Sequence, residues 1–196
     1  YGGNNNDTLD GGSGDDTLEG GTGADHLIGG NGTDLVSYDG ASSGVVADFL
    51  ILSSNAGDAE GDTYASVENL SGSTHRDRLY ANDSNNKLWG QNGDDDLHGR
   101  NGNDSLYGGN NNDRLNGGLG ADRLDGGSGT DEAAYWDATS GVRADLSNAS
   151  SNTGEAAGDT YISIENIAGS NHADTLVGNS GNNTLLGRDG ADKLYG

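Results

Sequence analysis

Residues 99–131 read GRNGNDSLY, GGNNNDRLN, GGLGADRLD and GGSGTD, nonapeptides on the template Gly-Gly-x-Gly-x-Asp-x-Leu-x. The same unit opens the chain as GGNNNDTLD from Gly2, GGSGDDTLE from Gly11, GGTGADHLI from Gly20 and GGNGTDLVS from Gly29. Asp recurs every nine residues at Asp7, Asp16, Asp25 and Asp34, then at Asp95, Asp104, Asp113, Asp122 and Asp131. Leu follows two positions later at Leu9, Leu18, Leu27, Leu97, Leu106, Leu115 and Leu124. A flexible Gly/Asn/Asp linker has no reason to hold Leu in that phase.

Six residues rich in Gly, Asn and Asp cannot sustain a helix, but they turn readily because Gly and Asn tolerate positive φ. The three that follow, such as Thr17-Leu18-Glu19, put one apolar side chain on one face and two polar ones on the other. That is the period of a short half-buried strand. Strand and turn in alternation predict an all-β solenoid with two nonapeptides per coil and Leu pointing inward. Repeats 18 residues apart then stack on one side, at about the 4.8 Å spacing of neighbouring strands.

The Asp columns pose an electrostatic problem. Carboxylates about 5 Å apart repel by roughly 0.8 kcal/mol per pair in water, and several times more at an effective dielectric near 20. Keeping Asp there implies a cation between the turns. Oxygen ligands without any Cys suit calcium, whereas magnesium prefers a stricter octahedron and retains water.

The in-phase GGxGxDxLx copies cover nearly the whole chain and resemble the RTX nonapeptide of calcium-binding parallel β-roll proteins. The resemblance implies a right-handed parallel β-roll solenoid with multiple Ca2+ ions between its turns. Each ion would lie between a GGxGxD loop and the loop 18 residues on, held by both Asp carboxylates and by loop carbonyls. Same-side pairs are Asp7 with Asp25, Asp16 with Asp34, Asp95 with Asp113, Asp104 with Asp122, and Asp113 with Asp131. The matching loop glycines are Gly12, Gly14, Gly21, Gly23, Gly30 and Gly32 in the first run. In the second they are Gly93, Gly102, Gly109, Gly118, Gly120, Gly127 and Gly129, with Gly190 beyond it. Asp77, Asp174 and Asp192 take the ligand position in imperfect repeats.

Composition agrees with a thin-cored solenoid. Among 196 residues there are one Phe, no Met and 37 Gly, too little bulky apolar material for a conventional core. The formal charge of −23 predicts an expanded metal-free chain. The absence of Cys excludes disulfides and thiolate metal sites. No signal-peptide pattern and no membrane-spanning apolar run is read in these residues. The lack of Met and a start inside a repeat predict a piece of a longer protein.

Between the two runs lies an irregular stretch, Tyr38 to Ser71, followed by the imperfect repeats GSTHRDRLY and ANDSNNKLW. A shift of 97 residues lays the second half on the first without a gap. Asp34 falls on Asp131, Tyr38 on Tyr135, Asp48 on Asp145, Asp62 on Asp159, and Asn86 on Asn183. The expected organisation is therefore one β-roll unit over 1–97, with irregular segment 38–71, and a second over 98–196, with irregular segment 135–168. The two would stack as one continuous solenoid. The pattern SGVxxDL, GDxxGDTYxSIEN, GSxxxDxL resembles the irregular segment of β-roll domains in serralysin-type proteases and other type I-secreted proteins. It is expected to form extra coils with a protruding loop. Asp62 and Asp159 either bind a further calcium or cap a turn. Glu68 and Glu165 are expected to make structural hydrogen bonds, while Asn86 and Asn183 offer a neutral oxygen ligand or an Asn ladder.

Catalytic patterns are missing. His26, His75, His98 and His172 form no zinc motif, and no nucleophile elbow, phosphate loop or dinucleotide fingerprint occurs. The module is therefore expected not to be an enzyme, and its acidity makes nucleic acid a poor partner. Lys87, Trp89, Tyr107 and Arg123 gather on one outer face, either to bind a polysaccharide or to pair across strands. The expected function is a calcium-folded structural module of a larger secreted protein: an adhesin, surface-layer protein or exoenzyme of a Gram-negative bacterium. It would lie outside the cell or on its surface, against neighbouring β-roll repeats of its parent chain or another surface protein. The alternative is a polysaccharide-binding accessory module resembling those of alginate epimerases.

Overall fold

The computed structural model describes all 196 residues as short β-strands joined by turns, with four single-turn 3-10 helices and no α-helix. Each strand is short because the nine-residue cycle returns to a Gly/Asn/Asp turn before a longer one can form. The strands pair in parallel at the expected step. Lys87–Asn92 pairs with Ser105–Asn110, which pairs with Arg123–Ser128, setting Leu88, Leu106 and Leu124 in one column. On the opposite face Leu79, Leu97 and Leu115 align in the same way. Consecutive strands therefore alternate between two facing sheets, giving two nonapeptides per coil.

One seven-stranded sheet runs from Val46–Asp48 to Leu185–Leu186, and the other from Thr17–Leu18 to Thr160–Ile162. Three-stranded sheets flank them at the two ends. Both large sheets pass without interruption through the point where the 97-residue sequence repeat restarts. The core is the thin stripe between them, in which Leu27, Leu70, Leu79, Leu88, Leu97, Leu106, Leu115, Leu124 and Leu176 are fully buried. Outside it, Trp89 stacks on Tyr107 at 5.7 Å with 9° between the rings. The Arg123 guanidinium covers Tyr107 at 5.6 Å.

The irregular segments each insert one extra strand into the coil sequence. Val46–Asp48 joins the sheet that holds Arg78–Tyr80, and Arg143–Asp145 pairs with Thr175–Val177. The 97-residue repeat holds an odd number of half-coils. Strand Thr8–Ser13 and its counterpart Ser105–Asn110 consequently fall in different sheets, and the two insertions leave the solenoid on opposite faces. Each insertion is closed by its own polar network. Tyr38 donates its hydroxyl to Asp62 Oδ2 at 2.8 Å and meets the Tyr64 hydroxyl at 2.6 Å, while Asn55 donates to Tyr64 at 3.2 Å. Tyr135, Asp159, Tyr161 and Asn152 repeat this arrangement. Leu50 and Ile51 at the tip of the first insertion stay exposed.

Candidate metal centre

The turns stack along both edges of the roll, and the Asp at the end of each turn ties one coil to the next. The backbone N–H of Asp95 donates to Asp113 Oδ1 at 2.9 Å, and that of Asp113 to Asp131 Oδ1 at 2.8 Å. On the other edge the Asp104 N–H donates to Asp122 Oδ1 at 2.8 Å. In the first run Asp7 and Asp16 donate likewise to Asp25 and Asp34. One carboxylate oxygen of each Asp in the columns, except Asp7 and Asp16 in the first coil, is thus consumed by the ladder.

The second oxygen is not. Oδ2 of Asp7, Asp16, Asp25, Asp34, Asp95, Asp104, Asp113, Asp122 and Asp131 is buried with no hydrogen-bond partner. An unpartnered buried polar atom costs about 1–3 kcal/mol, and more when charged. Nine such atoms on two turn edges form a set of hard oxygen donors suited to a cation. In the second run burial accordingly pushes carboxyls up in the absence of a cation: Asp95 to about 8, Asp104 and Asp113 to about 7, and Asp122 to about 6. Coulombic repulsion adds to the rise, from Asp113 and Asp77 on Asp95, and from Asp131 on Asp113.

The backbone around each orphaned oxygen leaves no room for a side chain. A Cβ on Gly108 would collide with Asp113 Oδ2. Gly109 next to it has φ +113, and a Cβ there would strike the Gln91 carbonyl of the coil below. The loop glycines predicted as carbonyl donors, from Gly12 to Gly190, all adopt positive φ. No group of three or more carboxylate or imidazole side chains gathers at any one point. A cation on these edges therefore takes two carboxylates at most and completes its shell from backbone carbonyls, which is calcium-like coordination. The residues present fit calcium.

Four copies of the RTX calcium-binding nonapeptide repeat match the chain, over residues 1–36, 71–106, 98–133 and 168–196, together well over half its length. The chain belongs to the RTX calcium-binding repeat family. No curated protein matches the chain. The parallel β-roll and the calcium-binding character of the RTX module follow from that membership and from the strand register.

Other predicted ligands have a different environment. Asp62 Oδ1 accepts the Asp25 N–H at 2.8 Å and its Oδ2 the Tyr38 hydroxyl; Asp159 is held in the same way by Asp122 and Tyr135. Asp77 Oδ2 accepts the Ser73 N–H at 2.6 Å, and Asp174 Oδ2 the Ser170 N–H at 2.7 Å. Asp192 Oδ1 accepts the Asp174 N–H at 2.9 Å in the last turn. Glu68 and Glu165 replace Asp in the ladder, accepting from Asp34 and Asp131. Asn86 accepts from Asn82 and donates to the Glu68 carbonyl, and Asn183 behaves alike with Asn179 and Glu165. Sequence reasoning missed Ser73, Ser170, Tyr38 and Tyr135 as carboxylate partners. The signal was present at 73 and 170, where Ser stands in the second glycine position of the template.

Proposed function

We propose that this RTX module is a calcium-folded structural segment of a larger secreted protein, with the nine orphaned Asp Oδ2 atoms as its ligands. The observation that carries this reading is the pairing of those atoms along the turn edges, each buried and each without a partner. Calcium supplies the positive charge and the coordination that these oxygens lack. The chain's own residues do the rest: Asp Oδ1 fixes the coil-to-coil register, the paired glycines let the backbones approach, and the Leu stripe closes the sheets. Calcium is scarce in the cytosol and abundant outside, so such a chain stays unfolded until export through a type I channel and folds afterwards. An adhesin, a surface-layer protein and an exoenzyme are all suitable parents, because the module supplies scaffold rather than chemistry.

The polysaccharide reading has less support. Trp89 and Tyr107 cover one face of each other, and Arg123 covers the remaining face of Tyr107. That occupies Tyr107 and one face of Trp89 within the sheet and favours cross-strand stabilisation.

Isothermal titration calorimetry tests the main proposal. Calcium is expected to bind with several ions per chain, and magnesium at the same concentration to displace none of them. Binding of neither ion, or equal binding of both, would contradict it.

A further inference from the structure

The nonapeptide repeats contain two kinds of turn, and they differ in backbone conformation as well as in sequence. In ten turns the second residue has positive φ: Gly3, Gly12, Gly21, Gly30, Gln91, Arg100, Gly109, Gly118, Gly127 and Arg188. All nine orphaned Asp oxygens belong to turns of this kind. The remaining four turns, 72–77, 81–86, 169–174 and 178–183, carry Ser73, Asn82, Ser170 or Asn179 at that position, none with positive φ.

These four close on themselves. The side-chain oxygen of the second residue accepts the N–H of the fourth: Ser73 Oγ from His75 at 3.0 Å, Asn82 Oδ1 from Ser84 at 2.9 Å, Ser170 Oγ from His172 at 3.0 Å and Asn179 Oδ1 from Gly181 at 2.8 Å. The N–H of the second residue then donates to the sixth, at Asp77, Asn86, Asp174 and Asn183. Ser73 also gives its hydroxyl proton to Asp77 Oδ1 at 2.9 Å, and Ser170 to Asp174 Oδ1 at 2.8 Å. Every side-chain oxygen of the sixth residue, the counterpart of the orphaned Asp oxygen in a glycine turn, is thus already hydrogen-bonded here. In two of the four turns the carboxylate itself is replaced by a neutral amide.

Resting on the calcium reading above, we infer that these four turns hold no calcium, the Ser and Asn side chains standing where the ion would be. The four occur as two consecutive pairs, each directly after an irregular segment. Because consecutive turns lie on opposite edges, each pair makes one complete coil. The calcium-loaded turns therefore form separate runs, divided by a metal-free coil that adjoins each insertion. Asp77 and Asp174 are structural residues on this account, unlike Asp104 and Asp113.

Calcium stoichiometry by isothermal titration calorimetry on the full chain tests the inference, with β content followed by circular dichroism. Asn already fills the Asp77 role at Asn86 in the next turn, so Asp77→Asn is expected to fold and to bind as many ions as the unsubstituted chain. Asp104→Asn is expected to bind fewer. The double substitution Ser73→Gly, His75→Gly restores the glycine template beside turn 90–95 and is expected to add a single ion. A loss of calcium in Asp77→Asn equal to that in Asp104→Asn would overturn the inference. So would an unchanged count in a folded glycine double variant. Failure of the unsubstituted chain to bind calcium would instead overturn the calcium reading itself, and this inference with it.

Discussion

In chelator near neutral pH the chain is expected to give the far-UV circular dichroism of a coil, and to convert steeply to β as calcium is added. The metal-free fold must bury nine carboxylate oxygens without partners in a chain of formal charge −23. Each unpartnered oxygen costs about 1–3 kcal/mol, and a domain is stable by only about 5–15 kcal/mol. Nine such costs together are as large as that margin or larger. Steepness follows because each ion joins neighbouring coils, so that filling one site orders the next. Acid should partly replace the metal. The folded-state values of about 6 for Asp122, about 7 for Asp104 and Asp113 and about 8 for Asp95 lie above the roughly 3.9 of an unfolded Asp. A raised folded value stabilises the fold fully below the unfolded pKa, and that contribution is lost as pH rises through the folded one. In chelator, then, β signal should grow as pH falls from 8 towards 5, while in calcium acidification should raise the calcium midpoint. A β spectrum indifferent to chelator at pH 8 would contradict the account.

Asp113→Ala should raise the calcium midpoint by about tenfold or more, and Asp7→Ala far less. Asp113 lies inside a column: its Oδ1 accepts from Asp95, its N–H donates to Asp131, and its Oδ2 is orphaned between the two. Removing its carboxylate deletes a buried hydrogen bond and a ligand facing two neighbours. A hydrogen bond to a charged group alone contributes about 1.5–3 kcal/mol, and 1.4 kcal/mol is a tenfold change in midpoint. Asp7 is in the first turn, half-buried, and no N–H donates to its carboxylate. Calcium titrations followed by circular dichroism compare the two variants. Equal shifts would contradict the stacking register.

Much of this was legible because the repeat is written at full strength in the sequence. The phase of Asp95, Asp104 and Asp113 against Leu97, Leu106 and Leu115 gives turn, strand and inward face together, and the 18-residue step gives the register. The stack of Trp89 on Tyr107 follows from the same arithmetic. What the periodicity could not convey was the state of each carboxylate. Asp77 and Asp95 occupy equivalent template positions, yet a Ser hydroxyl and amide satisfy Asp77 while Asp95 keeps its Oδ2 unpartnered. That difference depends on the φ of a single turn residue. The pairing of Tyr38 with Asp62, 24 residues apart, was equally hidden, since an insertion breaks the phase that made the rest readable. The transfer of each 97-residue copy to the opposite sheet is a matter of counting half-coils through that same insertion.

The most direct test is anomalous diffraction from crystals grown in calcium. The account predicts peaks along both edges of the roll, between the Oδ2 atoms of Asp95 and Asp113, of Asp113 and Asp131, and of Asp104 and Asp122. Peaks confined to other places, or empty turn edges in a folded roll, would contradict it.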